Sequence, residues 1–277
     1  MLGHEFMRHA FLAGTFIALA CGLVGYFLVL RVQVFAGDAL SHVAFTGALA
    51  AAAASIDPRV GLFSATVIVA LGMGLAGERA RADDAVIGSI FAWVLGLGVL
   101  FLSIFTTSSS GSGNGAAGVR VLFGSIFGLS AGDAWLAAGI GAAAALALLA
   151  IARPLLFSSV DPGVAEGGGV PVRGLGLAFL ALLGVVAGEG TQAVGALLLL
   201  GLLAAPAGAG YLLSTNPYTG LALSAAIAVG ATWIGMTLSY LIHPLPPSSA
   251  IVFVAVAAYL GALMAGGRRR PSLESIS

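Results

Sequence analysis

Charged residues along this chain are so sparse that they punctuate long apolar runs, and the runs have the length of membrane-crossing helices, which need about 20 apolar residues. The first lies at residues 10–30, between Arg8 and Arg31, and reads as a retained helix, since it is longer than a cleaved leader's apolar core and closes on no small-residue cleavage site. Further runs follow at 39–55, 60–77, 85 to about 105, and 134–157, the last with Arg153 near its end. Beyond a polar, glycine-rich stretch at 158–173, apolar sequence resumes at Gly174 and meets one acidic residue, Glu189, before Arg268. Asn216-Pro217 and the proline cluster from His243 to Pro247 divide this half into spans near 174–188, 192–213, 218–242 and 248–266. The pattern predicts an all-α polytopic membrane bundle of nine helices, or eight if a short one enters only part of the bilayer.

Composition narrows the class. Hydrophobic residues make up 60% of the chain and charged residues 8%, with a mean hydropathy of +1.09, whereas an ordinary soluble domain is roughly a quarter charged. That excludes a soluble enzyme. The 11 positive and 11 negative side chains cancel, leaving no basic field to hold nucleic acid. Cys21 is the single cysteine, so disulfides and thiolate metal sites are out. Every positive residue is arginine, and arginine collects in cytoplasmic loops. Alternating spans with the C-terminus inside put Arg31, Arg79, Arg81, Arg153, Arg173 and Arg268 to Arg270 inside, against Arg8, Arg59 and Arg120 outside. The expected topology is therefore N-terminus out and C-terminus in. It comprises one transmembrane domain over residues 1–267, a loop at 106–118 outside, the loop at 158–173 inside and a cytoplasmic tail at 268–277. No internal repeat is convincing.

The chemistry concentrates at Gly37-Asp38-Ala39-Leu40-Ser41-His42. Asp38 and His42 are four apart and share one face of a helix. A carboxylate inside a membrane helix costs about 2.5 to 3.5 kcal/mol on insertion scales, so it lines a pathway or finds a partner. Carboxylate plus imidazole suits a borderline divalent ion. The plain alternative is that Asp38 caps the start of its helix and His42 is a core histidine. Glu189, flanked by glycines, reads as a polar turn between two spans, and Asp133 as a cap for the fifth span. His243 reads as an interfacial residue, and Trp93, Trp135 and Trp233 as packing or interfacial anchors. In the 158–173 loop, Asp161 can cap a short helix that starts at Pro162 and ends in glycines, a form suited to docking another protein. No Gly-x-x-x-x-Gly-Lys-Ser/Thr phosphate loop exists, and there is no lysine, so the chain cannot hydrolyse ATP by that route. Ser41 and His42 are adjacent and point apart, which argues against a catalytic pair.

Three ordered blocks resemble the permease subunits of ABC importers for zinc, manganese and iron(II). They are Arg31-Val32-Gln33-Val34-Phe35-Ala36-Gly37-Asp38-Ala39-Leu40-Ser41-His42 with Gly47; Asp161-Pro162, Ala165 and Gly169-Val170-Pro171-Val172-Arg173; and Gln192-Ala193-Val194-Gly195-Ala196-Leu197-Leu198 running on to Ala205-Pro206-Ala207. Together the likeness spans about residues 10–266. It departs from the family pattern at Thr46, where proline is common, at Val32, where a second arginine is common, and at Gly167 and Gly168, where larger residues are usual. The resemblance implies a type II importer permease in a bacterial plasma membrane. Such a subunit is a homodimer, served inside by ATP-hydrolysing subunits and outside by a metal-binding protein. It implies that Asp38 and His42 contact the ion in transit. It also implies that Asp161, Pro162, Ala165, Gly169 and Pro171 belong to the loop that couples to the ATPase. No cofactor is permanently bound, because the divalent ion is cargo. Two other readings stand beside it: a permease for a metal chelate such as a siderophore or cobalamin, and an ion-coupled secondary carrier using Asp38 and Glu189.

Overall fold

The computed structural model describes residues 5–77, 84–108, 124, 126–196, 198–242 and 244–266. Arg79, Arg81, Arg120, His243, most of the 106–118 loop and the 268–277 tail lie outside the described residues. The elements are α1 (Glu5–Leu30), α2 (Val34–Ala53), α3 (Pro58–Ala76), α4 (Asp84–Ser108), a 3-10 turn (Ile126–Gly128), α5 (Ala131–Val160), α6 (Pro162–Gly167), α7 (Val172–Val194), α8 (Leu199–Leu213), α9 (Pro217–Leu241) and α10 (Pro247–Gly266). Eight of these helices are long and apolar enough to cross a membrane, while α8 is apolar but only 15 residues long. Of the two expected counts, nine or eight with one short helix, the described residues give the second.

Helices α3 and α9 begin where the sequence supplies a side-chain acceptor followed by a proline, which needs no amide partner. Asp57 accepts from Arg59 N–H (2.8 Å) ahead of Pro58, and Asn216 accepts from Tyr218 N–H (3.0 Å) ahead of Pro217. The cap of α5 is Ser130, not Asp133. Asp133 N–H donates to Ser130 Oγ (3.2 Å) while the Ser130 hydroxyl donates to Asp133 Oδ2 (2.7 Å), the reciprocal arrangement of a capping box.

Helix α1 is the axis of the bundle and packs on α5, α7, α8 and α9, with 72% of its span window buried. Such close approach needs small residues. Gly141 of α5 lies against the backbone of Phe16 and Ile17, and Phe127, just ahead of α5, packs edge-on against Phe6 at the start of α1, so α1 and α5 run parallel; Ser224 of α9 donates to Gly22 O (2.6 Å) across an antiparallel pair. On one side α3 packs on α7 and on α2, where Gly47 and Gly61 meet face to face; on the other, α8, α9 and α10 pack on one another. Helix α4 is the outlier. It contacts α2 and, lightly, α3, and 17% of its window is buried.

One expectation gives way. The sixth span does not end at Glu189: α7 runs on to Val194, and the break falls at Gly195, where φ is +93°. Glycines beside a glutamate resemble a turn, but here they are packing sites. A Cβ on Gly188 would meet Leu62 and Phe63 of α3, and Thr191 donates back to Ala187 O (2.7 Å) inside an unbroken helix. Arg31 is buried in the turn between α1 and α2. Its guanidinium carbon sits 5.3 Å from the Phe179 ring centroid, and Nε donates to Gln33 Oε1 (3.1 Å). Its neighbour Val32 carries a left-handed φ of +56° and points outward.

Candidate metal site and coupling surface

Helix α2 starts at Val34, with Gln33 in the cap position and no side-chain cap, so Asp38 stands a full turn inside and caps nothing. The capping alternative for this residue is thereby removed. Asp38 and His42 are both half-buried, about 6 Å and 12 Å along the helix from its start. Because α1 and α5 run parallel, that start lies at the same end of the bundle as α6. Asp38 lines a cavity of about 400 Å³ with Phe35, Ala39, Ile87, Gly88 and Phe91. His42 sets its ring edge-on to Phe91, at 5.1 Å between centroids and 76° between planes. Its nitrogens hydrogen-bond to no described residue, which leaves them available as donors.

Behind the pair, the Ser41 hydroxyl reaches both Asp38 O (2.7 Å) and Ala196 O (2.9 Å), fixing α2 to the break after α7. This explains how the first and third sequence blocks work together, since the Gly195 break exposes the very carbonyl that Ser41 holds. Among the described residues no three His, Cys, Asp or Glu side chains converge. Among the described residues, the titratable donors brought here are one carboxylate and one imidazole.

At the α6 end, Asp161 accepts from Val164 N–H (3.0 Å) and caps the short helix Pro162–Gly167, as its sequence implies. Gly169 takes a φ of +81° to turn the chain out of it, a conformation suited to glycine. Ala165 lies on this helix, which packs on α5 and α7, and is fully buried. Its side chain packs within its own chain. The outward apolar side chain is Val164, 58% exposed, a residue that spacing alone did not single out. Pro162 is half-buried, and Gly169 and Pro171 are exposed around it.

At the opposite end a polar tie links three helices. Arg59 of α3 forms a salt bridge with Asp133 of α5 (2.9 Å), and its Nε donates to Gln192 Oε1 of α7 (3.2 Å). One turn deeper, Glu189 is 3% exposed with Oε1 lacking a hydrogen-bond partner. It borders a gap too tight for water between Ile17 and Ala20 of α1 and Ile140, Gly141 and Ala144 of α5. No residue lines both this gap and the Asp38 cavity. Nothing in the sequence pattern linked Arg59, Asp133 and Gln192, which come from three separate spans.

The geometry can be set beside known proteins. The chain is 29% identical over 256 residues to the manganese transport system membrane protein MntC of Halalkalibacterium halodurans, an alignment spanning 92% of this chain and 85% of that protein. It is 26% identical over 275 residues to the manganese import system permease protein ScaB of Streptococcus parasanguinis, covering 99% and 95%. Among solved structures, PsaBC from Streptococcus pneumoniae in complex with Fab shares the fold, with a TM-score of 0.80 at 24% identity over 94% of this chain and 91% of that one. The model of the ABC 3 transport family matches residues 3–266, and the chain is a multi-pass membrane protein belonging to that family.

Proposed function

We propose that this chain is the membrane subunit of an ATP-binding-cassette importer that carries manganese, with Asp38 and His42 contacting the ion in passage. The observation that carries the reading is the placement of both donors a turn or more inside α2, half-buried beside a cavity and not used as caps. An ionisable pair at that depth is expensive unless it serves a pathway. Carboxylate and imidazole suit manganese and zinc alike, and the manganese assignment follows the named activity of the relatives. The ATPase is a separate cytoplasmic subunit that docks at the α6 end, around Val164. A metal-binding protein delivers the ion at the Arg59 end. Two copies of this chain form the pathway, and nothing beyond the transported ion is bound.

The chelate-permease reading leaves the Asp38–His42 pair without a purpose, since a bulky chelate brings its own ligands. The secondary-carrier reading needs Asp38 and Glu189 on one route, and they line separate spaces. The test is ATP-driven uptake of radioactive manganese in proteoliposomes that hold this chain, the ATPase and the binding protein. Asp38→Asn keeps the shape and removes the charge, and His42→Ala removes the imidazole. Each should abolish uptake while leaving assembly intact, and normal uptake by both would withdraw the site.

A further inference from the structure

On α5 the exposed side chains Leu146, Leu149, Arg153, Phe157 and Val160 fall on one face at helical spacing, and all but Arg153 are apolar. Arg153 stands seven residues, about 10 Å, before the end of α5, inside a stretch long and apolar enough to span a membrane. A cation at that depth is costly unless it meets a counter-charge or reaches water. Arg59 has such a partner in Asp133, whereas Arg153 has no hydrogen-bond or ion-pair partner among the described residues. It borders a cavity of about 680 Å³, lined also by Phe157 and Val160, by Pro217 and Tyr218 at the start of α9, and by Val170 just after α6. These residues share one end of the bundle. Helix α5 runs parallel to α1, and α9 runs antiparallel to it, with Ser224 against Gly22 and Gly220 against Tyr26, so α5 ends and α9 begins where α1 ends. The helices packed on α2 are α1, α3, α4, α7 and α8, so the cavity is built on elements other than those that carry or cover the ion donors.

We propose that this cavity binds one anionic phospholipid from the leaflet at the α6 end, with its phosphate on the Arg153 guanidinium and an acyl chain running back along Leu149 and Leu146. Charge complementarity selects the headgroup, since a guanidinium matches phosphate geometry and supplies the counter-charge that the chain itself lacks. The apolar stripe selects a lipid over a free anion. Tyr218 stands at the first turn of α9, the level where aromatic side chains meet headgroups. An arginine between helices at this depth is the arrangement that holds acidic lipid headgroups. The cavity also touches the coupling loop: Val170 N–H donates to Ala165 O (3.0 Å), so a lipid against Val170 braces the turn that follows α6. Coupled ATP hydrolysis should then depend on lipid charge. That consequence rests on the importer reading, and the binding itself does not.

Native mass spectrometry of the full chain in mild detergent, titrated with phosphatidylglycerol or phosphatidylcholine, tests the binding. One phosphatidylglycerol per chain should survive detergent removal. Arg153→Gln should weaken that step about five-fold, Arg153→Lys should keep most of it, and phosphatidylcholine binding should be the same in all three, which also shows that the variants are folded. Arg173→Gln, at another exposed arginine of the same end, should leave phosphatidylglycerol binding intact. Millimolar inorganic phosphate should not displace the lipid, because it has no chain to lay on the stripe. Equal retention by Arg153→Gln and wild type, an equal loss in Arg173→Gln, or displacement by phosphate alone would overturn the proposal. So would protection of Arg153→Cys from a maleimide by the ATPase subunit in lipid-free detergent, which would give the cavity to that subunit; the native Cys21 is buried. In proteoliposomes of the assembled complex, adding phosphatidylglycerol to phosphatidylcholine should raise manganese-coupled ATP hydrolysis in wild type and not in Arg153→Gln, and equal stimulation of both would overturn the link to the coupling loop. Absence of ATP-driven uptake by wild type in either lipid would overturn the importer reading and leave the lipid site in place.

Discussion

At the residue scale, what distinguishes Asp38 and His42 from other polar side chains is that the fold gives them no structural duty. Asp57, Ser130, Asp161 and Asn216 all cap helices, and Thr191 and Ser224 bond to carbonyls. The His42 nitrogens make no such bond among the described residues. A metal ligand must be deprotonated, so protons compete with the ion for the imidazole. Manganese uptake at sub-saturating concentration should therefore fall as pH is lowered from the neutral into the acid range. Saturating manganese should recover it, whereas loss through unfolding would not be recovered. Initial uptake rates across that range, at two manganese concentrations, check the expectation. The pair itself was legible because its i, i+4 spacing is a local property. Phe91 and Ala196, which close the site from other helices, were not, because apolar side chains and carbonyls carry no signature until the fold brings them together.

At the element scale, α6 separates two roles that the sequence merges. The Asp161-Pro162 start and the glycine exit specify a short helix, but a six-residue element has too little periodicity to say which face turns inward. The structure puts Ala165 inside and Val164 outside. Placing a carboxylate at each position should give opposite results. Ala165→Asp buries an unpaired charge in the chain's own packing, so the thermal midpoint of the detergent-purified permease should fall even with no ATPase present. Val164→Asp should leave that midpoint unchanged and lower manganese-coupled ATP hydrolysis in the assembled complex. Equal midpoints for both variants would mean that Ala165 is not an anchor. The same limit of local reading explains α7. The residues around Glu189 are those of a turn, and what overrides them is tertiary: Gly188 admits Leu62 and Phe63, so the helix continues to Gly195. Long apolar spans separated by caps, such as α3 and α9, were placed to within a few residues, because nothing competes with their signal.

At the scale of the whole molecule, the donor count constrains the assembly. One chain brings a carboxylate and an imidazole to the site, with no third such group among the described residues, while zinc takes about four ligands and manganese prefers an octahedral set. Two copies of the chain sharing this site would supply four donors, so the expected stoichiometry under that reading is one ion per pair of chains. Membrane embedding alone does not specify this; the span pattern is satisfied by a monomer, and a second copy would be invisible to any local motif. The expectation separates cleanly in mixed dimers. If wild-type chains are paired with chains carrying Asp38→Asn and His42→Ala, and the hybrids are isolated through two different tags, a shared site loses half its ligands at once. Uptake by the hybrid should then drop to the level of the doubly mutated dimer, and manganese bound at equilibrium should be one ion per two wild-type chains. Two independent sites would instead leave the hybrid with half the wild-type rate and give one ion per chain, an outcome that would confine the pathway to a single subunit.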